Sequence, residues 1–177
     1  MNCFLKNRHE IDQCTENIRQ MGLLEHPLSC KNFDIFNIVP RMTNGNILDM
    51  GSAGGSCILE NAVKRGLQGI KTGIDLSYTE AITEKDGIIF IKGDLMQTGF
   101  KDGLYSFITC LSVIEHEVDI PKLTKECSRL LVKGGKLFLT FDYWPEKVNT
   151  HGLTLYGLKW NILCKDEVIN LVSDMDK

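Results

Sequence analysis

Residues 46–55 read Asn46-Ile47-Leu48-Asp49-Met50-Gly51-Ser52-Ala53-Gly54-Gly55, a short apolar run that meets a glycine-rich turn. An apolar run bounded by glycines reads as a buried strand. Ser56 to Arg65 then carries Ile58, Leu59, Ala62 and Val63 at helical spacing, and Gly66 stands just past the end. A tight strand-to-helix turn wants positive φ at some positions, and close approach of a ligand wants no side chain. The N–H groups of such a turn and of the helix start favour an anionic or polar ligand group. Glycine turns also join strands to helices for structural reasons alone, so the rest of the chain has to decide.

Downstream, Ile70–Asp75 reads as a second strand. Ser77 and Glu80 have the spacing of a capping box, which predicts a short helix. Gly87–Lys92 and Leu104–Leu111 read as strands, the latter buried on both faces. Asp119 can cap a helix with Ile120, Leu123, Cys127, Leu130 and Leu131 on one side. Gly134 and Gly135 are expected to break it before a fifth strand, Lys136–Phe141, with a last helix from Asp166 to Ser173. Upstream, Ile11, Cys14, Ile18 and Met21 share one helical face that Gly22 can end, and a second short helix is expected between Cys30 and Val39, closed by Pro40. Strands alternating with helices imply an α/β fold with a doubly wound, mostly parallel sheet. The expected division is a helical segment over 1–40 and a core over 41–177.

Composition fits one soluble domain of 177 residues, 43% hydrophobic and 24% charged. A net charge of −3 without a basic run gives no sign of nucleic-acid binding. The seven cysteines are scattered, with no pair or Cys/His cluster at zinc spacing. A reduced, cytoplasmic protein without a metal is therefore expected. No stretch has the ~20 apolar residues of a spanning helix, and residues 1–10 lack the apolar core of a signal peptide, so no membrane association is expected.

Ligands of doubly wound sheets lie beyond the C-terminal strand ends. Asp75 ends the second strand, where a carboxylate can accept both hydroxyls of a ribose; a helix cap is the plainer role, though Ser77 would already fill it. Asp94, just past the third strand, can accept from an adenine amino group or simply face water. After the fourth strand come Leu111-Ser112-Val113-Ile114-Glu115-His116.

Taken in order, ILDMGSAGG, GIDLS, KGDLM, ITCLSVIEH and LLVKGGKLFLTFDYW resemble the motif series of class I S-adenosylmethionine (SAM)-dependent methyltransferases, Rossmann-like enzymes. The combination SVIEH with FDYWPEK is also similar to methyltransferases of polysaccharide or secondary-metabolite clusters. The resemblance spans roughly Asn46 to Trp144. It implies that Asp49, Gly51, Ser52 and Gly55 line the methionine end of SAM. Asp75 would hold the ribose with Leu76 on the adenine, Asp94 and Leu95 would hold and cover the adenine, and Leu111 and Ser112 would pass near the reactive end. His116 becomes a candidate base and Glu115 a candidate contact for cofactor or substrate; either could instead only brace the loop. Tyr143 and Trp144 are candidate substrate contacts, with His151, Tyr156 and Trp160 in the loop beyond.

The implied activity moves a methyl group from SAM to oxygen, nitrogen or carbon on a small molecule or glycan, leaving S-adenosyl-L-homocysteine. Ala53 replaces a usual glycine, and the last two strands of the family sheet have no place before Lys177. The fifth strand would then be an open edge, to be covered by a second copy or a partner chain. Two other readings remain. One is a SAM-binding regulatory subunit without activity of its own. The other is a nicotinamide-dependent oxidoreductase, against which Gly51, Ala53 and Ser56 stand where G-x-G-x-x-G is wanted.

Overall fold

A computed structural model describes residues 3–175. The chain opens with helix α1, Arg8–Gln20, whose N-cap Asn7 accepts from the Glu10 amide. Helix α2, Asn32–Ile38, follows between two single 3-10 turns. Then come strand β1, Ile47–Met50, helix α3, Cys57–Lys64, and strand β2, Lys71–Asp75. Strands β3, Ile82–Lys85, β4, Ile88–Lys92, and β5, Tyr105–Leu111, lead to helix α4, Ile120–Leu130, and strand β6, Leu131–Thr140. A small hairpin of β7, Thr154–Leu155, and β8, Leu158–Lys159, precedes helix α5, Lys165–Met175.

Six strands form one sheet in the order β3-β4-β2-β1-β5-β6, parallel except for β3. Helices cover both faces, as a doubly wound fold requires. On one side α1, α2 and α3 close a core around Ile18, Ile35, Ile38, Ile47, Leu59 and Phe107. On the other, α4 and α5 close a core around Leu48, Met50, Ile108, Leu123, Leu130 and Leu171. The N-terminal helices therefore share a hydrophobic core with the sheet. Ser56 caps α3 by accepting from the Leu59 amide, and Asp119 caps α4 by accepting from Lys122.

Three sequence expectations are corrected. The capping-box spacing of Ser77 and Glu80 starts no helix. Those residues lead into β3, which pairs antiparallel with β4 through Asp86 and Gly87, both at positive φ (53° and 76°). Two consecutive left-handed residues make the tight turn whose twist suits a hairpin, and Asp-Gly is its strongest sequence signal. The sheet accordingly has six strands where five were expected. Gly134 and Gly135 do not separate helix from strand either: β6 starts at Leu131, directly after α4, and runs through both.

β6 is an edge strand, pairing only with β5 among the described residues. Just beyond its end, the chain returns beside it: Trp144 donates its amide to the Leu163 carbonyl at 3.0 Å, and Leu163 to that of Asp142 at 2.9 Å. The loop after β6 is thus tied down at the C-terminal end of the sheet. No helix among the described residues is long and apolar enough to cross a membrane.

Candidate active site

The carboxyl ends of β1, β2, β4, β5 and β6 open on one edge of the sheet. At β1 the turn bends through Gly51, Gly54 and Gly55, with φ of +81°, +75° and +133°. A Cβ at Gly54 would meet nothing within 4 Å, so the turn is open on that side. Gly51 differs, since a Cβ there would stand 2.3 Å from a methyl of Val113. Gly51 is therefore required by its own backbone and by the loop after β5. A bulky residue at this position disturbs the fold as well as any ligand.

Ser52 is buried, and its Oγ lies 2.9 Å from the Tyr78 hydroxyl, which also donates to the Ser52 carbonyl. Tyr78, from the segment between β2 and β3, thereby pins the glycine turn. Asp49 is buried beneath the turn and accepts from the Thr109 hydroxyl. Burial pushes its carboxyl up to about 6, against the pull of hydrogen bonds from Ser56 and Thr109 and the charge of Lys31.

Asp75 ends β2, and one of its oxygens accepts from the Ser77 amide at 2.7 Å, which fixes the carboxylate's direction. Leu76 beside it is 63% exposed, a large apolar side chain held open to solvent. Asp94 makes the same local turn, accepting from Met96 at 2.8 Å. Leu95 is instead buried in the core under α4. Leu111 is half-buried at the end of β5, and Ser112 follows at φ +55°, a left-handed conformation unfavourable for a residue with a side chain.

Ser112 accepts from Lys31, which also pairs with Asp34 at 3.6 Å. Sequence reasoning missed Lys31. It stands in a polar stretch 81 residues from Ser112, and only the packing of α2 on the sheet brings it to the strand ends. Its charge favours ionised Asp34, Asp49 and Glu115.

Glu115 and His116 are brought together with this site. Glu115 is 1% exposed, and its Oε2 has no hydrogen-bond partner among the described residues. Burial pushes its carboxyl up to about 7; Asp142 adds to the rise and Lys31 opposes it. Burial lowers His116, against the attraction of Asp142, and its Nδ1 is likewise without a partner. Tyr156, at the tip of the β7–β8 hairpin, meets the His116 ring edge-on at 5.9 Å. Tyr143 and Trp144 lie together past β6 with Trp160, whose indole N–H donates to Asp142 at 2.9 Å. His151 is exposed on the loop beyond.

The profile of the methyltransferase domain family matches residues 48–139, just over half of the chain, from β1 to the end of β6. The chain belongs to the methyltransferase domain family, whose cofactor is SAM. A relative named ubiquinone biosynthesis O-methyltransferase, from Xanthomonas oryzae, is 28% identical over 125 residues, which is 65% of this chain and 50% of the relative. The chain spans about half the length of the curated relatives it matches. Among solved structures, phosphoethanolamine N-methyltransferase 2 of Haemonchus contortus in complex with SAM aligns with a TM-score of 0.61 at 17% identity. That alignment covers 93% of this chain and 36% of the other. A SAM-dependent methyltransferase from Mesorhizobium loti aligns with a TM-score of 0.59 at 13% identity, covering 81% and 80%. At such identities these two structures speak for the shared fold.

The residues present fit this cofactor. An open left-handed glycine turn, an oriented carboxylate at the end of β2, an exposed leucine beside it and a cation at the end of β5 supply complementary groups for a molecule carrying ribose, adenine and an amino acid.

Proposed function

We propose that this chain binds SAM across the strand ends and transfers its methyl group to oxygen or nitrogen of a small-molecule acceptor. The observation that carries the reading is the convergence, at one sheet edge, of the open Gly51–Gly55 turn, the oriented Asp75 carboxylate and the buried Glu115, whose Oε2 has no partner among the described residues.

When bound, the cofactor supplies a methyl carbon on a positively charged sulfur, a good leaving group. The chain's own task is binding, alignment and proton handling. Asp75 accepts from the ribose hydroxyls, and Leu76 and Asp94 frame the adenine. Lys31 suits the carboxylate of the amino-acid end, and Asp49 its ammonium group. Glu115 accepts the proton that an oxygen or nitrogen acceptor sheds, because its carboxyl is held near 7 and one oxygen lacks a partner. His116 is the second candidate for that proton, its imidazole lowered by burial. Tyr143 and Trp144 border the acceptor. A second copy or partner chain pairing along the free edge of β6 belongs to the same proposal.

Equilibrium dialysis of the chain with labelled SAM, beside a titration with NADH that follows energy transfer from tryptophan, tests the reading. SAM retention without NADH transfer is expected. NADH binding without SAM binding would overturn it.

A further inference from the structure

Asp34, Lys31, Ser112 and Thr140 close a ring of polar contacts at the carboxyl ends of the strands. Lys31 donates to the Ser112 hydroxyl. The Ser112 amide donates to the Thr140 carbonyl at 2.8 Å. The Thr140 hydroxyl donates to Oδ2 of Asp34 at 3.4 Å, and the same oxygen stands 3.6 Å from the Lys31 ammonium. The ring ties the start of α2 to the ends of β5 and β6.

Asp34 is 8% exposed, next to Ile35, which packs into the core with Ile38. Burial raises its carboxyl, against the charge of Lys31 and hydrogen bonds from Lys31 and Thr140. A lysine is a compact charge on a flexible four-carbon stem, and it stays aimed only where fixed acceptors hold it. Asp34 and Ser112 stand on different elements, so together they fix the position of Nζ. An ammonium has three N–H donors. Ser112 and Asp34 engage two, no third partner stands among the described residues, and the Lys31 side chain is 23% exposed. One N–H remains for an acceptor from outside the chain.

We propose that Asp34 is a positioning residue for the cofactor, holding the Lys31 ammonium at Ser112 so that its remaining N–H meets the carboxylate at the amino-acid end of SAM. The inference deepens the methyltransferase reading and rests on it. Ser112 sits at φ +55° in the same ring, so the left-handed turn after β5 and the aim of Lys31 are set together. A ring that only tied α2 to the sheet would, when broken, weaken every ligand of the strand ends alike. A positioning role confines the loss to ligands that carry the amino-acid carboxylate. Charge alone would act the other way, since removing the negative charge of Asp34 leaves Lys31 more attractive to an anion.

S-adenosyl-L-homocysteine and 5′-methylthioadenosine share the adenosine and the thioether, and only the first carries the amino-acid carboxylate. Calorimetry with each, on the wild type and on variants that unfold cooperatively in urea, tests the proposal. Asp34→Asn should weaken S-adenosyl-L-homocysteine on the order of fivefold and leave 5′-methylthioadenosine within about twofold. Lys31→Met should discriminate between the two ligands in the same way. Adding Asp34→Asn to Lys31→Met should cause no further loss, because Asp34 acts through Lys31. Thr140→Val, which cuts the ring at its other contact to Asp34 and keeps the ion pair, should show the same discrimination more weakly, and it decides the matter if Asp34→Asn does not fold. Equal losses for both ligands, an unchanged or raised affinity for S-adenosyl-L-homocysteine, or a full further loss in the double variant would overturn the role of Asp34. A wild type that binds neither ligand would sink the methyltransferase reading instead.

Discussion

The buried carboxyl of Glu115 makes stability depend on pH in a way one substitution should remove. Its ordinary value is 4.5, and the folded environment raises it to about 7. The folded state therefore holds a proton there that the unfolded chain releases between pH 4.5 and about 7. Below 4.5 both states are protonated, and Glu115 costs nothing in ionisation. As pH rises through the window, stability falls, levelling off above about 7. At ~1.4 kcal/mol per pH unit, the full loss is about 3 kcal/mol. Glu115→Gln keeps the shape and removes the charge. Urea unfolding of both proteins from pH 4 to pH 8.5 should show the variant gaining about 3 kcal/mol on the wild type across the window. Asp49 drifts the same way, raised to about 6, but it is common to both proteins and cancels in the difference. A pH-independent difference between the two proteins would refute the reasoning, because Glu115 would then be solvated or paired in the folded state.

Lys31→Met should weaken SAM binding by about tenfold in calorimetry, since one charge-assisted contact is lost; unchanged affinity would remove Lys31 from the cofactor site. Tyr78→Phe deletes the hydroxyl that holds Ser52 and should lower stability by about 1 kcal/mol in urea unfolding, with a few-fold loss of SAM affinity. Gly51→Ala should cost about 1–3 kcal/mol in the same assay, and adding Val113→Ala should restore part of it by removing the methyl that the new Cβ meets.

The parallel core was legible because each of its signals is local. Ile47–Met50 running into glycines, Ser56 and Asp119 as caps, and the apolar run through Ile108 all carry their meaning within a few residues. The hairpin of β3 and β4 was legible too, in Asp86-Gly87, but the spacing of Ser77 and Glu80 pointed to a helix. Capping residues propose a start that only an apolar helical face can sustain, and 78–87 has none. Of the candidate site, the strand-end residues Asp75, Asp94, Glu115 and His116 could be read from position alone. Lys31 could not be found that way, because its partner Ser112 is set by how α2 packs on the sheet. Val113 behind Gly51 and Tyr78 over Ser52 are tertiary contacts that no local spacing encodes.

The most direct test of SAM binding at the strand ends is calorimetry of the 177-residue chain with SAM, repeated on Asp75→Ala. Asp75 is fixed by Ser77 without supporting a helix, so its removal should leave the fold intact. Losing charge-assisted hydrogen bonds to two hydroxyls, at ~1.5–3 kcal/mol each, should weaken binding at least about tenfold. Saturable binding by the wild type and that loss in the folded variant are the expected results. No binding by the wild type, or equal affinity in a folded Asp75→Ala, would contradict the placement of the cofactor.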